Sequence, residues 1–291
     1  MELKINLYLC RRAFKSPTLR MENEKQMWDE IESLVKEYND LKLTDLIDYQ
    51  KFYLYSIISH STAIEGSTLT EAETQILLDE GLTAKGKPLI HHLMKEDLRN
   101  AYNYAFEEAI KKSPVTPELL NELSSLVMKS TRSVYNGING QWDSSKGDVR
   151  LHGVTAGFGN KSYVNFKKVS ELNEQLCTEI NARLQKVNTF QEIYTLSFDA
   201  HLNLATIHPY GDGNGPMARL IMNYIQFYHQ QIPSKIFRED KADYILSLRT
   251  SQDSNNPQAF RSFMQTQTIK MLKEEISNFN QSQKKGFSFM F

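Results

Sequence analysis

The chain has 291 residues, of which 40% are hydrophobic and 24% charged, and this is ordinary for a globular protein with a sizeable core in one domain or two. Its 34 basic and 35 acidic residues give a formal net charge of −1, which excludes a global field for attracting nucleic acid or an anionic membrane. No apolar run reaches about 18 residues, so no transmembrane helix is expected.

The cysteines and the N-terminus indicate a reducing compartment. Cys10 and Cys177 are far apart and lack the spacing of metal ligands, so we expect them to be buried or inert rather than bridged. The N-terminus lacks the charged-then-apolar order of a signal peptide. We therefore predict a cytoplasmic protein.

Helical periodicity covers most of the chain. Before it, residues 2–9 alternate between apolar and polar side chains, a pattern typical of a half-buried strand. Segment 216–230 is apolar nearly all round, which predicts a helix at the centre of a bundle. Apolar residues at helical spacing predict ten helices: 23–41, 43–60, 70–79, 88–112, 117–131, 167–186, 189–207, 216–230, 239–252 and 257–279.

Residues 134–166 interrupt this pattern with six glycines. Apolar residues lie between the glycines, which predicts a loop followed by a β-hairpin over roughly 147–166. The predicted fold class is therefore mainly α, a helical bundle with one short hairpin.

The most informative stretch lies between two predicted helices. Its three glycines permit positive φ angles, so successive N–H groups can form an anion-binding nest, and the next helix adds the positive end of its dipole. Glycine, Asp and Asn are also turn residues, so the glycine spacing alone fits an ordinary helix–helix turn. The other side chains favour a phosphate site. The stretch reads His208-Pro209-Tyr210-Gly211-Asp212-Gly213-Asn214-Gly215-Pro216-Met217-Ala218-Arg219.

Four of these side chains have chemistry that suits a bound phosphate. Asp212 could hold Mg²⁺, Asn214 could donate its amide, and Arg219 has the fork geometry that suits phosphate oxygens. His208, with an ordinary pKa of about 6.5, could act as a general base. Together they predict transfer of a phosphorus-containing group onto a hydroxyl, driven mainly by positioning and electrostatic stabilisation.

The same stretch resembles the signature loop of the Fic domain family, H-P-F-x-D/E-G-N-G-R-x-x-R. Independently, Ser61-x-x-x-Glu65-Gly66 is similar to the family's inhibitory helix motif, [S/T]-x-x-x-E-[G/N]. It lies N-terminal to the core, as in the class that carries its inhibitor upstream. A third motif, Gly147-x-x-Arg150-x-x-x-Val154, resembles the lead-in to the family's β-hairpin flap. The resemblance covers roughly residues 50–265 and implies a Fic-type helical bundle with a short flap.

The resemblance implies a protein adenylyltransferase, which moves AMP from Mg-ATP onto a Ser, Thr or Tyr hydroxyl of a target protein. It implies that His208 is the general base, that Asp212 is the Mg²⁺ ligand and that Arg219 meets the γ-phosphate. The other implied positions are the phosphate nest of Gly211, Gly213, Asn214 and Gly215, the base and ribose contacts Tyr244 and Gln252, and the target-clamping flap residues Ala156, Gly157, Phe158 and Gly159.

The upstream motif implies regulation through Ser61, Glu65 and Gly66. A carboxylate in the last turn of a helix lies on the unfavourable side of the helix dipole, which is a local reason to assign Glu65 a function. Pairing with Arg219 would remove the partner of the γ-phosphate and add repulsion. Some family members also use this glutamate to remove AMP, and the sequence leaves that activity open.

One position departs from the family pattern. Pro216 stands where the family has its first arginine, which suits the start of a helix but removes a cation and a backbone donor. Three outcomes remain open: a slower adenylyltransferase, a different phospho-donor, or a degenerate module that binds nucleotide or a partner without turnover.

The predicted organisation has three segments. Residues 1–50 form an N-terminal extension of a strand and a helix, residues 51–265 the Fic domain with its inhibitory helix, and residues 266–291 the C-terminal helix end and tail. Expected partners are a target protein and a nucleoside triphosphate, without nucleic acid or membrane. The sequence leaves a homodimer open.

Overall fold

In a computed structural model, the chain is described over residues 17–156 and 161–284. These residues fall into two units. The larger unit runs from Thr44 to Gln267, and the smaller combines the described residues before Thr44 with those from Thr268 on. The predicted strand at 2–9 and Cys10 lie outside the described residues.

The mainly α prediction is confirmed, since each predicted helix has a counterpart with somewhat different ends. The ten α-helices of the described ranges are α1 (Pro17–Asp40), α2 (Tyr49–Ile64), α3 (Glu71–Glu80), α4 (Leu89–Ile110), α5 (Pro117–Val127), α6 (Val169–Leu184), α7 (Phe190–Ile207), α8 (Asn214–Tyr228), α9 (Lys241–Ser254) and α10 (Gln258–Lys284).

Local backbone structure explains where two of these helices begin. Thr70 accepts a hydrogen bond from the Glu73 N–H, and the Glu73 carboxylate accepts from the Thr70 N–H, which completes the capping box at the start of α3. The prediction for α2 is wrong over residues 43–48. A short 3-10 turn (Leu43–Asp45) and a left-handed Asp48, with φ of 60°, delay the helix until Tyr49.

The glycine-rich region holds two antiparallel strand pairs. Strands β1 (Val134–Gly137) and β2 (Gly140–Asp143) form a hairpin that the sequence did not predict. Only the last two residues of β2 are buried, so the hairpin lacks the alternation that reveals a strand. Within the predicted 147–166 hairpin, β3 (Thr155–Ala156) pairs with β4 (Lys161–Ser162) over two residue pairs.

Helix α8 lies at the centre of the larger unit, as its all-round apolar sequence predicts. Leu220, Ile221, Met222 and Ile225 have no exposed surface. A buried polar network joins this helix to its neighbours. Tyr102 donates to Asn223 Oδ1 at 2.7 Å, and the Gln226 amide donates to the hydroxyls of Ser197 at 3.0 Å and Ser234 at 2.8 Å.

The smaller unit contains α1 and the C-terminal end of α10. Trp28 and Ile31 of α1 are buried, and Lys273 Nζ lies 2.6 Å from Glu30 Oε1. Among the described residues, no helix combines the length and the apolar character that crossing a membrane requires.

The buried network around Gln226 makes a stability prediction. Replacing Gln226→Leu keeps the volume but leaves the Ser234 N–H without its acceptor and two hydroxyls without a donor. We expect the free energy of unfolding to fall by about 2–3 kcal/mol in urea denaturation. The matched control Gln175→Leu, at an exposed position of α6, should change it by less than about 0.5 kcal/mol. Equal effects of the two substitutions would contradict this account.

Candidate active site

The signature stretch forms the turn between α7 and α8. Helix α7 ends at Ile207, and His208 follows in a left-handed conformation with φ of 53° and ψ of 61°, its N–H donating to the Leu204 carbonyl at 2.9 Å. Positive φ is uncommon for a residue other than glycine, so the surroundings must hold His208 in place. Helix α8 then begins at Asn214, after Gly213 with φ of 74°.

Two residues brace this turn internally. The Asn214 side chain accepts from the Tyr210 N–H at 3.0 Å and donates to the Tyr210 carbonyl at 2.9 Å. The amide that the sequence assigned to a phosphate therefore bonds the loop itself. Its φ angle favours glycine at Gly213, and a Cβ there would lie 2.8 Å from Met128 Sδ and would have to displace that side chain.

Arg219, one turn into α8, is the buried cation of the site. Only 3% of its side chain is exposed, and its guanidinium reaches the last turn of α2. Its Nε donates to Ser61 Oγ at 2.7 Å, and one terminal nitrogen donates both to the Ser61 carbonyl at 3.1 Å and to Glu65 Oε1 at 2.6 Å. Burial acts to lower the pKa of Arg219, but the Glu65 carboxylate and the Tyr244 hydroxyl together outweigh it, and the net pKa is raised.

The Glu65 carboxylate also lies against the start of α8. A Cβ on Gly215 would come within 2.5 Å of Glu65 Oε1, so the missing side chain of Gly215 makes room for the carboxylate. The first N–H groups of a helix have no acceptor within the helix, and its dipole favours an anion there. An anionic group therefore already stands where the sequence predicts a phosphate.

His208 is held as a neutral imidazole. Its pKa is lowered to about 4: burial lowers it most, a hydrogen bond with the Ala205 backbone acts in the opposite direction, and the positive charge of Arg150 also lowers it. The Tyr163 ring stacks on the imidazole with centroids 3.8 Å apart and planes 15° apart. A neutral imidazole can accept a proton, which is the state that a general base needs.

Asp212 is the exposed acid of the turn. Its Oδ1 accepts from the Gly213 N–H at 2.8 Å. Within the described residues, no group of three or more His, Cys, Asp or Glu side chains could hold a metal ion unaided. Mg²⁺ usually binds through one or two carboxylates together with substrate phosphates, so one exposed carboxylate beside a phosphate site fits Mg²⁺.

Tyr244 and Gln252 both lie on α9 but differ in surroundings. Tyr244 is buried, and Arg219 donates to its hydroxyl at 3.4 Å. The Gln252 amide donates to Thr206 Oγ1 at 3.2 Å. Tyr244 therefore supports the buried cation, whereas Gln252 contacts the end of α7.

Comparison with known proteins identifies the family of this region. Residues 114–226 match the sequence profile of the Fic/DOC family. This chain contains a Fic domain.

Curated relatives of the chain carry the name protein adenylyltransferase Fic. The relative from Nematostella vectensis is 27% identical over 224 residues, which cover 70% of this chain and 49% of that protein. The relative from Drosophila willistoni is 25% identical over 199 residues, which cover 68% of this chain and 37% of that protein. The chain thus matches less than half the length of either relative.

Solved structures show the same fold. A Fic domain containing signalling protein from Bacteroides thetaiotaomicron aligns with a TM-score of 0.68 at 22% identity, covering 88% of this chain and 97% of that one. Fic-1 from C. elegans aligns with a TM-score of 0.70 at 20% identity, covering 92% of this chain and 75% of that one. The Fic-type bundle predicted from the sequence is therefore confirmed.

The flap of this Fic domain is described in part. Ala156 belongs to β3, and the predicted flap residues Gly157, Phe158 and Gly159 lie outside the described residues.

Sequence reasoning did not predict the contacts that three residues make around the signature loop. Arg150 has no exposed surface and donates to backbone carbonyls of the loop, and Tyr163 stacks on His208. His201 lies 3.0 Å from the Tyr244 hydroxyl, and burial lowers its pKa well below the ordinary value. Arg150 belongs to the motif that resembles the lead-in to the flap, but that motif did not indicate its burial, and the sequence held no signal for Tyr163.

The pKa of His208 predicts how protonation acts on this site. Because its pKa of about 4 in the folded protein lies below the ordinary 6.5, the unfolded chain binds more protons between these values. The stability contributed by neutral His208 is complete above pH of about 6.5 and is lost as the pH falls towards about 4.

Histidine NMR titration should give His208 a pKa well below 6.5. Its resonance is assigned as the one that is lost in His208→Gln. Wild type should also lose more stability than His208→Gln between about pH 7 and about pH 5. An ordinary pKa for His208 would contradict the buried, neutral assignment.

Proposed function

We propose that this chain is a protein adenylyltransferase that moves AMP from Mg-ATP onto a Ser, Thr or Tyr hydroxyl of a target protein, and that Glu65 holds it inactive. The names of the curated relatives support the reaction class. A structural relative, IbpAFic2, has been crystallised covalently tethered to Cdc42, and this supports a protein as the target.

The observation that carries the proposal is the position of the Glu65 carboxylate. It pairs with the buried Arg219 at 2.6 Å and lies against Gly215 at the start of α8. A cation beside a helix N-terminus is a typical phosphate site, and here a carboxylate of the same chain takes the place of the phosphate. This arrangement supports both a nucleotide phosphate at this position and its exclusion by Glu65.

The residues of the turn divide the chemistry between them. The target hydroxyl oxygen attacks the α-phosphorus, its proton passes to the imidazole of His208, and the bond from the α-phosphorus to the bridging oxygen breaks to release pyrophosphate. Arg219, once freed from Glu65, orients the γ-phosphate and thereby aligns the leaving group. Asp212 would hold Mg²⁺, which when bound neutralises charge on the phosphates.

Inhibition follows from competition for one cation. With Glu65 in place, the guanidinium of Arg219 is already bonded and the carboxylate repels a γ-phosphate. ATP would then bind weakly or with its α-phosphorus misaligned. Displacement of Glu65 restores the cation without dismantling the loop, because Ser61 still accepts two hydrogen bonds from Arg219.

The second candidate function is nucleotide or partner binding without turnover. Pro216 supports it, because proline at the third position of α8 adds no cation and removes one backbone donor from the helix start. His208 and Asp212 favour the enzyme, since a binding module needs neither a neutral base nor an exposed acid beside it.

One labelling experiment separates these functions. We expect Glu65→Gly to raise self-labelling by nucleotide at least about tenfold, because it removes a charge-assisted competitor for Arg219. The assay uses each of the four labelled nucleoside triphosphates with Mg²⁺. Glu80→Gly, at an exposed glutamate that ends α3, is the matched control and should behave as wild type.

Adding His208→Ala to Glu65→Gly should abolish the labelling, which assigns the chemistry to this base. Labelling that persists without His208 would contradict the proposed role of the histidine. Silence of Glu65→Gly with every nucleotide would contradict the enzyme and favour the binding module.

A further inference from the structure

Arg150 is a fully buried cation between the flap and the catalytic turn. Its Nε donates to the His208 carbonyl at 2.7 Å, and its terminal nitrogens donate to the carbonyls of His152 at 2.9 Å and Val164 at 2.5 Å. A longer contact of 3.4 Å reaches the Ile207 carbonyl. One guanidinium therefore bonds the chain before β3, the chain after β4 and the end of α7.

This arrangement fixes the two peptide groups that flank His208. The His208 N–H is bonded to Leu204 and its carbonyl to Arg150, so neither peptide group can turn without losing a hydrogen bond. The Arg150 N–H also donates to the Pro209 carbonyl at 2.9 Å. A positive charge at the C-terminal end of α7 is favourable to the helix dipole, which adds to the stability of this contact.

Tyr163 holds the ring itself. Its backbone N–H donates to the Val154 carbonyl at 3.3 Å, which extends the β3–β4 pairing by one residue. Its side chain lies parallel to the His208 imidazole. The stack covers one face of the imidazole and leaves the ring edge, where the nitrogens lie, to exchange a proton. Because Val164 follows directly and accepts from Arg150, the two contacts belong to one short segment.

We propose that Arg150 and Tyr163 are positioning residues for His208: Arg150 fixes its backbone in the left-handed conformation, and Tyr163 fixes the plane of its imidazole and shields it from water. This inference rests on the proposed function only in taking His208 as the base. Arg150 bonds the segments before β3 and after β4 to the turn that carries His208. A movement of either segment would therefore be transmitted directly to the base.

The test measures the pKa of the His208 imidazole directly. Histidine NMR titration compares wild type with Tyr163→Ala and with Tyr163→Phe, which keeps the ring. We expect Tyr163→Ala to raise the pKa of His208 from about 4 to above about 5, because water then reaches the ring, and Tyr163→Phe to leave it unchanged. Arg150→Lys keeps the charge but loses the planar fork, and we expect it to move the same resonance.

The activity arm uses the same substitutions in the Glu65→Gly protein. Tyr163→Ala should lower kcat for nucleotide labelling about tenfold or more with little change in KM for ATP, and should move the acid limb of the pH profile upward. Tyr163→Phe should rescue both. A loss of packing alone would lower the amount of folded protein without moving the pH profile.

The outcomes separate this inference from the proposed reaction. If Tyr163→Ala leaves the pKa of His208 and the pH profile unchanged, Tyr163 does not position the base and the inference is overturned. If the pKa rises but no variant labels with nucleotide, the positioning stands and the proposed adenylyltransferase fails. If Arg150→Lys does not fold, the comparison of Tyr163→Ala with Tyr163→Phe still decides the question.

Discussion

The buried charge of Arg219 constrains the rest of the site. A guanidinium that is 3% exposed must be paired and hydrogen-bonded, because an unpaired buried charge is severely destabilising. Its partners come from α2, whose Ser61 and Glu65 are four residues apart and so lie on one helix face. Helices α2 and α8 are thus joined at one point, and that point is the predicted phosphate site.

The two partners of Arg219 have different consequences for function. Ser61 is buried and meets Arg219 with its hydroxyl and its carbonyl, so these two hydrogen bonds remain whether or not an anion pairs with the charge. The side chain of Glu65 is 35% exposed and supplies the charge. The carboxylate can therefore leave in exchange for another anion while the guanidinium keeps hydrogen bonds inside the protein. This division would allow the proposed inhibitory contact to be reversible without unfolding its helix.

Much of this structure was predictable, because its strongest signals are local. The helices follow from apolar residues at helical spacing, and the capping box at Thr70 and Glu73 from a four-residue motif. The proximity of Glu65 to Arg219, 154 residues apart, followed only from the family resemblance. The β1–β2 hairpin was not predicted because it is mostly exposed. The stacking of Tyr163 on His208 was not predicted because a contact between residues 45 positions apart produces no periodic pattern in the sequence.

The position of Asn214 illustrates why a motif does not fix the role of each residue. From the sequence its amide could equally meet a phosphate or close the turn, and the folded loop uses it on the Tyr210 backbone. Pro216 is similar, since it fits the first turn of α8 while removing a donor from the helix start. The backbone of the loop thus accommodates substitutions that alter its chemistry.

The central claim is that the Glu65 carboxylate occupies the place of a nucleotide phosphate, and calorimetric titration with Mg²⁺ and a non-hydrolysable ATP analogue tests it most directly. The account predicts that Glu65→Gly binds the analogue at least about tenfold more tightly than wild type, and that adding Arg219→Ala removes the gain. Equal affinities of wild type and Glu65→Gly would contradict it.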